Sequence, residues 1–369
     1  MVIKKRNPKL AKFSFMIFLV ALLLIALIGP TNGSYFSQAI SGHFRIMCSR
    51  EPSEKILETN QLDIETQNKL KIVLKVREYA TKELGLPKNK SYTVFSEING
   101  KYLGWNVYCA PKFSVESKKW CFPIAGCVVY RGYFSKKKAL EFANKMEEKG
   151  FDVFVGPFNA YSTLGWYDDP LLSSHLLLDS IHLAGIIIHE LAHQKIYVSG
   201  DSRFDEGYAV SVERAGVLRW LKSIGRDDQI VQALKIWDEE DMKVAKILNA
   251  RSQLNAIYLS ELDSKSLAQK KDSIFQDLKM DLCSANCAGI NLPKTDGEDF
   301  ELNNAYLVPI NVYYSLVPLF HSLLDSCGGN FLQFFEKVEE LGKLPFEERQ
   351  RKIESMRSLL NRPSTRLKQ

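Results

Sequence analysis

Residues 176–198, LLLDSIHLAGIIIHELAHQKIYV, limit what this chain can fold into more than any other stretch. Almost every position is apolar and the length suits a helix. A helix apolar nearly all round must be surrounded by protein. Yet it carries His189, Glu190 and His193, polar groups that are costly to bury without partners. On a helix, positions four apart lie one above the other on the same face. The two imidazoles can therefore reach one tetrahedral cation. Glu190, one residue on from His189, stands beside that point, where a carboxylate can take a proton from water. The bland alternative is a pair of core histidines hydrogen-bonded to neighbours.

A zinc site built on His-Glu-x-x-His takes a third protein ligand and leaves its fourth position to water. The polar break SGDS, 199–202, lets the chain turn back. The next helical stretch, 203–225, carries Glu206 and Glu213 seven residues apart, on the face of Ala209, Val210, Val217 and Trp220. Either glutamate could complete a His2Glu site, with one zinc per chain. The other would then hold a ligand's imidazole N–H. His182 shares the face of His189 but lies two turns earlier, roughly 10 Å along the axis, beyond reach of the same ion. His175 and His321 have no partners at metal spacing, and His43 has no evident role.

The 369 residues are enough for two or three domains, and 46% apolar with 25% charged is a globular composition. Of the net charge of +6, five charges come from Lys4, Lys5, Arg6, Lys9 and Lys12, ahead of any acid. That clustering marks a targeting signal and excludes a nucleic-acid footprint. It leads into FSFMIFLVALLLIALI, residues 13–28. Sixteen apolar residues are slightly long for a signal peptide and slightly short for a span. The expectation is an export signal, retained as a membrane anchor or cleaved near Thr31-Asn32-Gly33. The rest of the chain would then face the periplasm from the inner membrane, or be released into it. Cys121 and Cys127 flank a Pro and a Gly that can turn the chain, so a disulfide is expected between them. Cys283 and Cys287 are a weaker pair, because a spacing of four also fits one turn of a shared helix.

The expected fold class is α+β. Residues 1–33 form the signal or anchor segment and 34–90 a helical N-terminal region. Residues 91–159 form a small sheet-containing unit, with a hairpin turn at Asn99-Gly100 and an amphipathic helix over 135–150. Residues 160–369 form a mainly helical, zincin-like catalytic region, with one or two helices across 303–340 and a last one over 346–360. Residues 361–369 read as a frayed end.

Two resemblances stand on these motifs. HELAHQ, then DEGYA, then a further Glu seven residues after the first, is similar to the gluzincin metallopeptidases of the aminopeptidase N type. That likeness implies Glu206 as the ligand and Glu213 as its support. Asp205 stands where Asn is usual, and twelve residues separate His193 from Glu206. More narrowly, GSYFSQAISG, WCFPIAGCVVYRGYF, AYSTLGWYDDPLL, LAGIIIHELAHQKIYVSGDSRFDEGYAVSVERAG, NNA at 303–305 and YYSLVPLF at 313–320 resemble the bacterial family of predicted aminopeptidases, over about 34–340. Members usually carry a lipobox cysteine where this chain has Gly29-Pro30.

The expected function is peptide hydrolysis by a zinc metallopeptidase of aminopeptidase type. The alternatives are an endopeptidase of the same mechanism, or a non-catalytic binding or scaffold protein on the same fold. Glu190 would be the general base. Tyr313 would donate to the developing oxyanion, with Tyr314 and Tyr208 as rivals, because NNA and YYSLVP bring polar groups into an apolar helical region. In aminopeptidase N-like enzymes a segment upstream of the zinc helix supplies an acid for the substrate's amine. Here Tyr161–Leu164 would be the extended edge, and Asp168 or Asp169 would read the amino terminus. An Asp-Asp-Pro turn in solvent is the plain alternative.

Overall fold

The computed structural model describes residues 30–59, 62–122, 126–160, 163, 167–284 and 302–360. The apolar run 13–28, most of Tyr161–Leu164, Cys287 and residues 361–369 lie outside them.

The described chain is α+β. It opens with helix α1 (Pro30–Cys48), which runs through Thr31–Gly33, and strand β1 (Arg50–Pro52). Helices α2 (Ser53–Thr59) and α3 (Ile64–Lys82) follow, then β2 (Val94–Ser96) and β3 (Gly104–Pro111). β4 (Trp120–Phe122), β5 (Gly126–Val128) and β6 (Tyr130–Tyr133) lead to α4 (Lys136–Glu147), β7 (Phe151–Phe158) and β8 (Leu171–Leu172). From there the chain is helical: α5 (Ser180–Lys195), α6 (Ser202–Ser223), α7 (Asp227–Tyr258) and α8 (Ser264–Ser284). It ends with α9 (Asn304–Tyr314), α10 (Val317–Ser326), α11 (Phe331–Lys343) and α12 (Phe346–Leu360).

The central sheet is antiparallel, in the order β6-β3-β7. Successive residues of β3 face opposite sides, and both sides are covered. Val107 and Cys109 pack with Ala139, Ala143 and Met146 of α4. Tyr108 and Ala110 face the other way, into a cluster with Val244 and Ile247 of α7, Phe275 of α8 and Tyr306 of α9. A second sheet, β1-β2-β8, pairs β2 with β1 antiparallel and with β8 parallel. Asn99-Gly100 is therefore not a hairpin turn. Gly100 does take a positive φ of 101°, but it joins two sheets, because β2 is held by β1 and β8 while Leu103 N–H bonds Phe158 O at 3.0 Å. The run over 126–133 forms two strands, β5 and β6, with Val129 between them.

The largest core gathers α3, α5, α6, α10 and α11 around Phe204, Tyr208, Phe320 and Phe334. Asp179 caps α5, accepting from the N–H groups of Ile181 and His182, so the helix starts later than the apolar run. Asp201 caps α6 and also forms a buried ion pair with Arg349 of α12 at 2.9 Å. Residues 303–340 hold three helices, broken near Ser315–Leu316 and at Gly328-Gly329, both at positive φ. Asn304–Ser326 is apolar and long enough to cross a membrane, but 56% of its most apolar 18-residue window is buried inside the fold, as suits core helices.

His175 is buried; its Nδ1 accepts the Leu172 N–H at 3.3 Å, and its Nε2–H donates to Asn159 O at 2.7 Å. Burial pushes its pKa down from 6.5 to about 4, against the lift from Asn159. A folded pKa below the unfolded one means stability present above pH 6.5 and lost as the pH falls through about 4. This group alone should contribute about 3 kcal/mol to that loss. Denaturant melts of wild type and His175→Gln between pH 7 and 4 should show the variant's stability to be the flatter function of pH.

Candidate metal centre

The centre begins with the close approach of α5 and α6. Gly185 permits it, since a Cβ there would lie 2.8 Å from Glu213 Oε1. Glu213 of α6 crosses that gap and accepts the Nδ1–H of His189 at 2.9 Å. That bond orients the ring and turns Nε2 inward. His189 Nε2, His193 Nε2 and Glu206 Oε2 then form a triangle with sides of 3.1, 3.2 and 3.3 Å. Ligands about 2.0–2.1 Å from a tetrahedral zinc stand about 3.3–3.4 Å apart. The donor set fits such an ion in chemistry and spacing, and both histidines are buried.

The electrostatics agree with a site short of positive charge. Burial works against a charged His189, but hydrogen bonds donated to Glu206 and Glu213, and the charges of those carboxylates, outweigh it and hold its pKa well above the ordinary value. Burial likewise opposes ionisation of Glu206, yet the His193 charge and bonds to both imidazoles bring it down to about 2. Glu190 is 7% exposed, and burial lifts its carboxyl above the ordinary range despite the nearby histidines. Asp205 is buried and accepts the Val198 N–H at 2.7 Å. Burial pushes its pKa well up, against the pull of the Val198 N–H.

Each remaining residue has a definite place. The Tyr313 ring lies nearly parallel to that of His189, at 17° with centroids 6.3 Å apart. Tyr314 donates instead to Glu240 at 2.7 Å, and Glu240 also accepts from Arg214. Tyr208 is buried against Phe320, Phe334 and Phe335, deep in the main core. The NNA motif is an anchor: Asn303 caps α9, and Asn304 bonds Pro111 O, Lys112 O and Asp152. It thereby seats the helix that carries Tyr313 against β3. Asp169 is fully buried; its carboxylate accepts the Thr163 N–H at 3.0 Å and Gln194 Nε2 at 2.9 Å. Asp168 is half-buried and accepts the Lys90 N–H at 3.1 Å. His182 pairs with Asp179 at 2.7 Å, at the start of α5. Cys121 and Cys127 lie opposite each other on β4 and β5 and are joined by a disulfide.

The sequence pattern missed the sheet's contribution. Tyr108 and Tyr130 are paired across β3 and β6, and the Glu206 charge reaches both. Strand alternation could have put the two on one face, but not that face against α9.

Fold and site together define an α+β protein with a His-His-Glu cluster, its histidines buried, that could hold a metal ion. The family model described as "Putative aminopeptidase" matches residues 34–353, and the chain belongs to that family. Membership supports a peptidase role. No curated protein and no solved structure matches the chain.

Glu206 is a corner of the triangle and Glu213 touches it only through His189. Glu213→Gln should weaken metal binding about 10–100-fold, and Glu206→Gln more. A competition titration with a chromophoric chelator ranks the two; the reverse order would make Glu213 the ligand.

Proposed function

We propose that this chain is a zinc-dependent aminopeptidase of the gluzincin type, with His189, His193 and Glu206 as ligands and Glu190 as general base. The observation that carries it is the triangle of ligand atoms with Glu190 on the same buried turn of helix. Zinc, when bound, would polarise a peptide carbonyl and acidify water. Glu190, kept from solvent and raised in proton affinity, takes the proton of the attacking water and passes it to the leaving amine. Tyr313 donates its phenol O–H to the carbonyl oxygen as negative charge develops there. Glu213 fixes the tautomer of His189 so that Nε2 keeps its lone pair.

The amino-terminal preference rests on the family's description. Asp169 adds its charge to the field at Glu190, which puts it near the reacting groups, and Asp168 is its more exposed neighbour. One of them would pair with the substrate's ammonium. The basic, apolar N-terminus supports export with a membrane tether, on the periplasmic side.

Glu190→Gln should keep its metal and lose about 10²–10⁴-fold in kcat, read by metal analysis beside a peptide assay; loss of the metal would show Glu190 to be a ligand. Free-amine peptides should be cleaved and their N-acetylated forms spared, with Asp168→Asn or Asp169→Asn narrowing the difference. Equal cleavage of both forms would make the protein an endopeptidase.

A further inference from the structure

Against the turn that joins α5 to α6 lies the smallest sheet among the described residues, the β4–β5 pair, which no third strand joins. A two-stranded pair is marginal by itself in water. Here Cys121 and Cys127 face each other across it and are bonded. The cross-link removes the open forms of a short loop. β4 has its own anchors: Phe122 stacks on Tyr35 of α1 with ring centroids 6.1 Å apart, and Trp120 meets Phe142 of α4 edge-on at 6.3 Å. The start of β5 is held to β4 by the disulfide. Cys121 is exposed, so a reductant can reach the bond.

β5 is the strand that touches the turn. Gly126, at a φ of 74°, lies so close that a Cβ would meet Ser199 Oγ at 2.5 Å and Gly200 N at 2.7 Å. His193 stands near the end of α5 and Glu206 near the start of α6, so this turn sets the distance between two corners of the triangle. It is also wired to the second of them: the Val198 N–H donates to Asp205, the neighbour of Glu206, at 2.7 Å. α11 and α12 grip the turn at other points. A Cβ on Gly342 would lie 2.9 Å from Val198 Cγ2, and Arg349 and Gln350 both donate to Asp201. Ser199 and Gly200, between those points, are left to β5.

We propose that the Cys121–Cys127 disulfide is a redox-sensitive clasp of the metal centre. Bonded, it holds β5 against the turn and keeps His193 and Glu206 at ligand spacing. Reduced, it lets the turn relax, and the cation is held more weakly. Metal sites keep their ligand distances within about 0.2 Å, so a small motion is enough. The role rests on the metal reading of the cluster and not on peptidase activity. The reductant is a dithiol. One of its thiolates attacks a cysteine sulfur, and the S–S electron pair leaves on the other sulfur. Its second thiol then displaces the mixed disulfide. The two cysteines take up two electrons and two protons, and the dithiol leaves as its own disulfide.

The test is a zinc titration of the full-length protein against a chromophoric chelator. Oxidised wild type is compared with wild type reduced by a phosphine, in place of a zinc-chelating dithiol, and with Cys121→Ser/Cys127→Ser. The reduced protein and the double variant should bind zinc about tenfold more weakly, the lower end of what losing a ligand's support costs. Reoxidation should restore the affinity, and the phosphine should not change that of the double variant. Gly126→Ala, with its disulfide intact, should also weaken binding, because the added methyl pushes on Ser199 and Gly200. Helical circular dichroism should be the same throughout. Equal affinity in oxidised and reduced wild type, with the cysteine state verified by mass, would overturn the clasp and leave the metal centre standing. Loss of helix together with zinc would overturn it too, since the bond would then hold the whole fold. Oxidised wild type that binds no zinc would overturn the metal reading, and the clasp with it.

Discussion

The hydrogen bond between His189 Nδ1 and Glu213 at 2.9 Å is the contact on which the rest of the centre depends. It exists because Gly185, one helical turn before His189, has no side chain to keep α6 away. With the ring so oriented, Nε2 meets His193 and Glu206 at ligand spacing. Glu213 contributes without being a corner of the triangle. Its effect is to orient the ring of His189.

The surrounding fold keeps two helices and a sheet in register around that bond. Asp179 and Asp201 start α5 and α6, and the buried Arg349–Asp201 pair ties the last helix to the second of them. The Arg214 fork to Glu240 and Asp241 joins α6 to α7, and Tyr314 adds α9 to the same knot. Breaking a buried pair by removing one partner typically costs about 3–5 kcal/mol, so Arg349–Asp201 and Arg214–Glu240 are poor places for substitution. Asn303 and Asn304 hold the other end of α9 against the sheet. Tyr313 therefore approaches His189 on a helix fixed at both ends.

Local chemistry made much of this legible in advance. The apolar surroundings of His189 and His193 demanded a buried helix with a reason for its polar face. Helix periodicity put Glu206 and Glu213 on one side of α6. A Ser cap and a Gly stop marked α4, and Gly225 marked the end of α6, whereas the Asp179 cap that starts α5 inside the apolar run went unread. Asn99-Gly100 misled, because a turn dipeptide specifies a change of direction and not which strands will pair. The helices over 303–340 were undercounted for a related reason: short apolar helices separated by one or two residues carry a continuous hydrophobic signal.

The sequence by itself determined the class of the fold, the pair of helices, the ligand types and the presence of a carboxylate beside them. These follow from periodicities and capping within a single element. Only the tertiary structure decided which glutamate closes the triangle and which tyrosines are tied to other side chains. Those outcomes turn on how closely α5, α6, α9 and the sheet pack. Their separations are set by residues such as Gly185, Gly126 and Asn304, whose partners lie far away in the chain.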